Sequence, residues 1–328
     1  MKLNIDGYGW HVPKEVTSAE IEDKYGWASG WAERYSGVRK RHWVTHLESN
    51  GELGLIACEN ALKNANTHFS EIDMIIFAGA TYDYTLPNQA SIIKSKLDTT
   101  NTHHIPCLDV DTTCLSFITA LEIASEKINL NKANKILIVS AEVASNGLNP
   151  NSRETYTLFG DAAAAFIVSA SGTGTILKAK LKTYSSGVED TIILGGGNKM
   201  PFKYNEYNPK DFSFKMNGKN LLRLAKRELP KFFLDFFVDL DLSLSDIDAC
   251  IPHQASKSGL IMFESMFSFK EKGITVPSTL ADFGNCIAAS LPLTLAHSLE
   301  NGSIKKGDKC LLVGTSAGFA IGSILIEI

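Results

Sequence analysis

Cys114 stands in DVDTTCLSFITALEIA, residues 109–124, where a strand-like run meets a helix-like one. Before it, CLDVD alternates as a β-strand does; after it, Phe117, Ala120, Leu121, Ala124 and Ile128 recur at helical spacing. The pattern puts Cys114 at or beside a helix N-terminus, where the positive end of the helix dipole favours a thiolate, the nucleophilic form. A cysteine packed beneath a helix start has the same pattern, so a nucleophile must be recognised by its partners. His253 is the candidate among the histidines. It ends the β-rich run ACIPH, and α/β sheets carry their chemistry at the C-terminal ends of strands. Asn285, in DFGNCIAAS (282–290), follows a glycine and precedes a helix of small residues. Its amide can donate a hydrogen bond without carrying charge, and it can equally cap that helix. The loop GTSAGFAIG (314–322) lets backbone N–H groups approach a ligand closely, as half of an oxyanion hole whose other half is the Cys114 N–H.

The elements that must position these groups occur twice. EIDMIIFAGA (71–80) resembles DIDACIPHQA (246–255), and NKANKILIVSAE (131–142) resembles IKKGDKCLLVGTS (304–316). Between them, Thr119 and Leu121 lie over Thr294 and Ala296, all at an offset of 174 or 175 residues. Ordered matches at a nearly constant offset imply two copies of one fold. In each copy a β-rich run leads through a turn to helix 115–130 or 287–300, then a Lys-bearing turn and the strand KILIVSA or KCLLVGT. Strands alternating with helices predict parallel strands covered by helices on both faces. AAAAFIVSA (162–170) and AIGSILIEI (320–328) read as closing strands, 217–238 as a helix, and 175–220 as a crossover with an irregular insertion. The division expected is residues 1–172, carrying the cysteine, and 173–328, carrying the histidine and asparagine. The twofold relation would bring the Cys114 turn and the Asn285 segment together at the sheets' centre.

With 328 residues, 44% of them hydrophobic, the chain can bury a large core, and its net charge of −4 with mixed signs gives no nucleic-acid footprint. No apolar run is long enough to span a membrane, and MKLNIDGYGWHVP lacks the form of a signal peptide. Six cysteines without CxxC or metal-ligand spacing suggest reduced thiols in a cytoplasmic protein, with no metal, nicotinamide or flavin implied.

Cys, His and Asn in this order, in two related halves, give the chain a resemblance to the β-ketoacyl-acyl carrier protein synthase III family of thiolase-like condensing enzymes. SGVRKRHW (36–43) resembles the family's T-G-[IV]-x-x-R-[RH], and DVDTTCLSF its nucleophile segment D-[IV]-x-x-A-C-x-G-F. LFGDAAAAFIV, PHQAS and FGNCIAASLP resemble F-G-D-G-A-x-A-x-x-[LV], P-H-Q-A-N and Y-G-N-T-S-A-A-S-[IV]-P. The resemblance implies a layered α/β/α/β/α fold and a homodimer. It implies an acyl group carried on Cys114 and decarboxylative condensation with malonyl-acyl carrier protein, His253 and Asn285 binding the malonyl thioester carbonyl. The oxyanion hole would be the N–H groups of Cys114 and Ala317, with Phe159 beside the thiol. Trp31 and Arg153 match residues that hold the adenine end of coenzyme A, Leu86 one that limits primer length across the dimer interface, and Arg223 and Lys257 a carrier-docking surface. The chain departs from the family at Ser256 (for Asn), Thr112-Thr113, Ser116 (for Gly), Ser258 and Tyr35 (for Arg, with Arg34 beside it). These departures bear on the acyl pocket and on whether coenzyme A or a carrier protein brings the primer. Tyr82, where related HMG-CoA synthases carry a catalytic Glu, argues against that reaction. Acyl transfer without decarboxylation, and a non-catalytic subunit of a heteromeric synthase, are the alternative readings on this scaffold.

Overall fold

Runs such as MIIFA and AAAAFIVS carry no polar alternation, so a strand made from them must be covered on both faces. The computed structural model, which describes residues 1–328, covers them. The first half contains β1 (Asn4–His11), β2 (Lys14–Thr17), α1 (Ser18–Tyr25), α2 (Trp31–Ser36), β3 (Lys40–Trp43), α3 (Asn50–Asn64) and β4 (Met74–Ala78). It continues with α4 (Gln89–Leu97), β5 (Cys107–Val110), α5 (Ser116–Asn129), β6 (Lys135–Glu142), α6 (Arg153–Tyr156) and β7 (Ala162–Ser169). The second half contains β8 (Thr175–Thr183), β9 (Thr191–Ile192), β10 (Lys215–Met216), α7 (Gly218–Phe237) and β11 (Ala249–Pro252). It ends with α8 (Lys257–Phe267), α9 (Leu280–Phe283), α10 (Ser290–Glu300), β12 (Lys309–Ser316) and β13 (Ala320–Glu327).

One sheet has the order β1-β7-β6-β4-β5 and the other β11-β12-β13-β8. Thr275 bridges to Ala249 in parallel, at the place β5 holds beside β4. The two sheets are therefore the same arrangement used twice. Alternate residues of each strand divide between two cores. Ile76, Ile138, Ile251 and Leu312 point inward to α5 and α10, which lie between the sheets. Ile75 and Val139 point out to α3 and α4, and Cys250 and Val313 to α7 and α8. The result is the five-layer α/β/α/β/α thiolase-like architecture. No helix is long and apolar enough to cross a membrane.

Small polar devices repeat with the fold. His68 and Glu71 form a reciprocal cap ahead of β4, as Ser243 and Asp246 do ahead of β11. Asp73 Oδ2 accepts from the Lys135 N–H at 3.0 Å, and Asp248 Oδ2 from the Lys309 N–H at 2.8 Å.

Two expectations are corrected. The sheets are mixed, because β7 and β13 run antiparallel to β6 and β12. Only Ala317, Gly318 and Phe319 separate β12 from β13, and so short a link joins antiparallel strands alone. Secondly, the segment read as a crossover begins with a strand: β8 pairs with β13 along its length. Its lysines 178, 180 and 182 disguise it, because this edge strand is half-buried and Lys180 and Lys182 pair with Asp235 of α7. The remaining insertion holds only the β9–β10 pair and single turns.

Leu121 of α5 and Leu295 of α10 are fully buried in the layer shared by both sheets. Leu121→Ala and Leu295→Ala should each destabilise the protein by about 2–5 kcal/mol. Urea unfolding midpoints test this, and a shift equivalent to less than about 1 kcal/mol would show that the layer is not the common core.

Candidate active site

Cys114 lies in a single 3-10 turn, Thr113–Leu115, that feeds α5, and Ile287–Ala289 is the matching turn that feeds α10. The two are built alike. Thr112 N–H donates to Ser116 Oγ at 3.0 Å, and Cys286 N–H to Ser290 Oγ at 2.9 Å. Thr113 N–H donates to Asp111 Oδ1 at 2.8 Å, and Ile287 N–H to Asn285 Oδ1 at 2.9 Å. Thr113 and Ile287 have φ of +51° and +47°, a left-handed backbone that β-branched side chains avoid. A side-chain acceptor two residues earlier holds each in place. Asn285 is thus the counterpart of Asp111, and Ala288 that of Cys114. Asn285 caps its turn and still has donor capacity to spare: one Nδ2 hydrogen goes to Ala255 O at 3.3 Å, leaving the other.

The structure joins the four segments that carry these groups. The Cys114 sulfur faces the N–H groups of Ala317 and of Cys114 itself. Thr113 Oγ1 donates to Ala317 O at 3.4 Å, tying the nucleophile turn to the β12–β13 loop. His253 directly follows β11, and its Cβ and the Leu115 side chain both lie against Gly314, where a Cβ would fall 2.7 Å from the His253 Cβ. Only glycine fits there. Asn285 is bound to the His253 loop through Ala255, and it is tied across to Phe159 by Asn285 N–H to Leu158 O (2.9 Å) and Gly160 N–H to Asn285 O (3.1 Å). Cys114, Phe159 and Ile287 share one apolar cluster. The segments that carry the thiol, imidazole and amide are therefore joined to one another, with an apolar cluster beside the thiol.

Sequence reasoning expected a helix terminus to favour the thiolate. In the folded protein Cys114 is half-buried, and desolvation, with the nearby Glu142 charge, pushes its thiol up to about 12, against the pull of the two amides. At rest the nucleophile is a thiol. Burial also pushes His253 down to about 4, so its imidazole is neutral, and its Nδ1 is buried without a partner.

Of the other candidate residues, Phe159 shares the apolar cluster of Cys114, and the rest lie on separate elements. Phe159 is buried and stacks on Phe214, centroids 4.7 Å apart. Trp31 begins α2 and stacks flat on Tyr35 (5.1 Å, 9°), while the Arg153 guanidinium lies 4.8 Å from the Trp27 ring and 6.0 Å from that of Trp31. Leu86 is exposed at the tip of the loop after β4. Ser256 caps α8 by accepting from the Gly259 N–H at 3.1 Å, so a hydroxyl does here what the family's Asn side chain could also do. Lys257 packs over Gly37, and Arg223 is exposed on α7 with Lys219 and Lys226 on the same helical face.

Three residues with a bearing on the site escaped sequence reasoning. Gln254 is fully buried. Its Nε2 donates to Pro252 O at 2.7 Å, and its Oε1 accepts from Ser278 Oγ at 2.8 Å and from two backbone N–H groups, fixing the His253 strand end to the segment before Asn285. Phe214 lies in the insertion, where nothing in the pattern marks it. Glu142 is a fully buried carboxyl at the end of β6, and the acid closing an apolar strand was its visible signal.

Comparison with known proteins accords with this geometry. The family profile described as 3-oxoacyl-[acyl-carrier-protein (ACP)] synthase III matches residues 108–185, and its C-terminal counterpart matches 238–328. The β-ketoacyl-[acyl-carrier-protein] synthase III of Neisseria meningitidis is 32% identical, over 98% of both chains. The chain belongs to the 3-oxoacyl-[acyl-carrier-protein] synthase III family. It is a condensing enzyme, an acyltransferase with the thiolase-like fold. The crystal structure of the synthase III from Aquifex aeolicus superposes with a TM-score of 0.86 at 25% identity, covering 99% of this chain and 100% of that one. The priming β-ketosynthase of a polyketide pathway shares the fold, with a TM-score of 0.89 at 23% identity over 99% and 96% of the chains.

The neutral His253 has a measurable consequence. Its folded value is about 4, against an ordinary histidine near 6.5, so the unfolded chain binds more protons between these values. Stability is complete above about pH 6.5 and falls by up to about 1.4 kcal/mol per pH unit as pH drops toward 4. In His253→Gln that part of the slope should vanish. Equal pH dependence of denaturation free energy in the variant and parent would contradict a neutral buried His253.

Proposed function

We propose that this synthase III-family enzyme joins an acyl primer to a malonyl unit held on acyl carrier protein. The joining of the segments that carry Cys114, His253 and Asn285, with two backbone N–H groups facing the sulfur, supports this reading. The primer carbonyl carbon takes the Cys114 sulfur, the donor thiol leaves with the proton, and an acyl-Cys114 thioester remains. Malonyl thioester then enters. Its carboxylate carbon–carbon bond breaks, carbon dioxide departs, and the electron pair moves onto the thioester oxygen. Donors from His253 and the free Asn285 N–H stabilise that enolate oxygen as charge forms. The enolate carbon attacks acyl-Cys114, the new oxyanion rests on the N–H groups of Cys114 and Ala317, and collapse releases the sulfur and a β-ketoacyl thioester. A thiol held near 12 suits a step in which the proton leaves with the departing thiol.

The two halves, residues 1–172 and 173–328, act as two domains of one site in this reading. A homodimer is proposed as well: Tyr84 and Leu86 are 65% and 84% exposed on one loop, more apolar surface than a solvated loop needs. Leu86 would then border the partner's acyl space. Arg223 on α7 and Lys257 at the start of α8 would meet the acidic carrier. With all six cysteines free, we place the reaction in the cytoplasm, in fatty-acid or polyketide-like synthesis. The primer is proposed to come on a carrier protein. Tyr35 covers one face of Trp31, with Glu154 near its hydroxyl, so an adenine ring would have to displace Tyr35 to stack there.

Intact-mass spectrometry after incubation with acyl-carrier protein should show one acyl adduct, absent in Cys114→Ala. His253→Ala and Asn285→Ala should keep the adduct and lose about 10²–10³ in carbon dioxide release from malonyl-carrier protein. An acylated parent that releases no carbon dioxide would instead favour simple acyl transfer, and a parent that takes no acyl group a non-catalytic subunit. Tyr35→Ala should narrow the preference for acyl-carrier protein over acyl-coenzyme A by about tenfold, a loss of about 1.4 kcal/mol of discrimination. A parent that uses both donors equally would contradict the covered Trp31 face.

A further inference from the structure

The duplication that makes one amide nest at Cys114 makes a second at Ala288. The pair Cys114 and Ala317 in the first nest corresponds to Ala288 and Val143 in the second, 174 residues apart in each case. The first pair faces the sulfur. The second is occupied by the chain itself: Val143 N–H donates to Thr81 Oγ1 at 3.0 Å, and Ala288 N–H points at the Glu142 carboxyl. Glu142 is completely buried, with Oε1 accepting from the Ala80 N–H at 2.8 Å and Oε2 from Thr81 Oγ1 at 2.6 Å. Thr81 Oγ1 also accepts from Asn50 Nδ2 at 2.8 Å, so both its lone pairs are used and its proton has only Glu142 to go to.

We propose that Glu142, seated with Thr81 in the second amide nest, is a positioning residue that ties the turn beyond Asn285 to the end of β6 and the loop after β4, and that its charge opposes a thiolate at Cys114. The seat joins three parts of the site that share no backbone hydrogen bond: the end of β6, the loop after β4 and the second-half turn three residues beyond Asn285. The titratable groups that face the carboxyl are Asp111, Tyr82, Cys114 and Cys286. None of these brings a positive charge. Burial pushes Glu142 up to about 8, against the three donors that favour its charged form. Below that value the nest holds a neutral acid. Above it the nest holds a charge that opposes a thiolate at Cys114.

This inference rests on Cys114 as the acyl acceptor for its relevance, but its test reads the thiol directly and needs no condensation. Iodoacetamide alkylation of the intact protein is followed at Cys114 by peptide mass spectrometry from pH 6 to pH 10. In the parent, the logarithm of the rate should climb one unit per pH unit to about pH 8 and bend to a shallower slope above it. Glu142→Gln should match the parent at pH 6, where the carboxyl is neutral, and exceed it about tenfold at pH 9.5, where the parent is charged. A merely structural disturbance would change the rate by the same factor at every pH. Such a constant ratio would overturn the proposal. So would an unbroken unit slope in the parent, which decides the matter even if the variant does not fold.

Discussion

Two left-handed turns facing one another across the centre of the molecule are the constraint on which the rest depends. Thr113 and Ile287 hold a backbone that costs about 1–3 kcal/mol for a β-branched residue. Each is kept there by a side-chain oxygen two residues before it and by a serine hydroxyl at the start of the following helix. The kink turns the next residue, Cys114 in one half and Ala288 in the other, toward the opposite half. The five layers serve to hold these turns in register. The inner helices α5 and α10 are clamped between both sheets, so neither turn can relax without disturbing the common core.

The duplication also explains how the two turns diverged in chemistry. One presents a thiol to its amides, while the other has its amides satisfied by Thr81 and Glu142. At the position that precedes each strained residue by two, the first half has Asp111 and the second Asn285. Both are good acceptors for the turn. Only the amide also donates without charge, which is what the enolate oxygen of the proposed reaction requires. The interior is apolar enough to keep both His253 and Cys114 uncharged at rest. In the proposed reaction charge then develops only as bonds change, where preorganised donors stabilise it most.

Much of this was legible in the sequence, where the signal was local. Helical spacing after Cys114, the strand end at His253, the glycine before Asn285 and the repeated strand–helix grammar all express themselves within ten or so residues. The helix predicted over 217–238 is α7. What escaped notice depended on partners distant in the chain. Strand direction is not encoded in hydrophobic pattern, so β7 and β13 read as closing strands without an orientation. The lysines of β8 make sense only beside Asp235, more than fifty residues away. Glu142 meets donors 61 and 62 residues earlier in the chain and another from the opposite half. The dipole at a helix start is visible in a sequence, whereas the desolvation that distant segments impose on a half-buried sulfur is not, and desolvation won.

The central claim is that one small thioester can touch the sulfur, the imidazole and the amide at once. A crystal structure of the enzyme acylated at Cys114, with a non-decarboxylating malonyl thioester analogue bound, tests it most directly. The account predicts the analogue's carbonyl oxygen within hydrogen-bonding reach of both His253 and Asn285, and the acyl oxygen on the N–H groups of Cys114 and Ala317. An analogue seated with its carbonyl out of reach of either side chain, or an acyl group attached elsewhere, would contradict it.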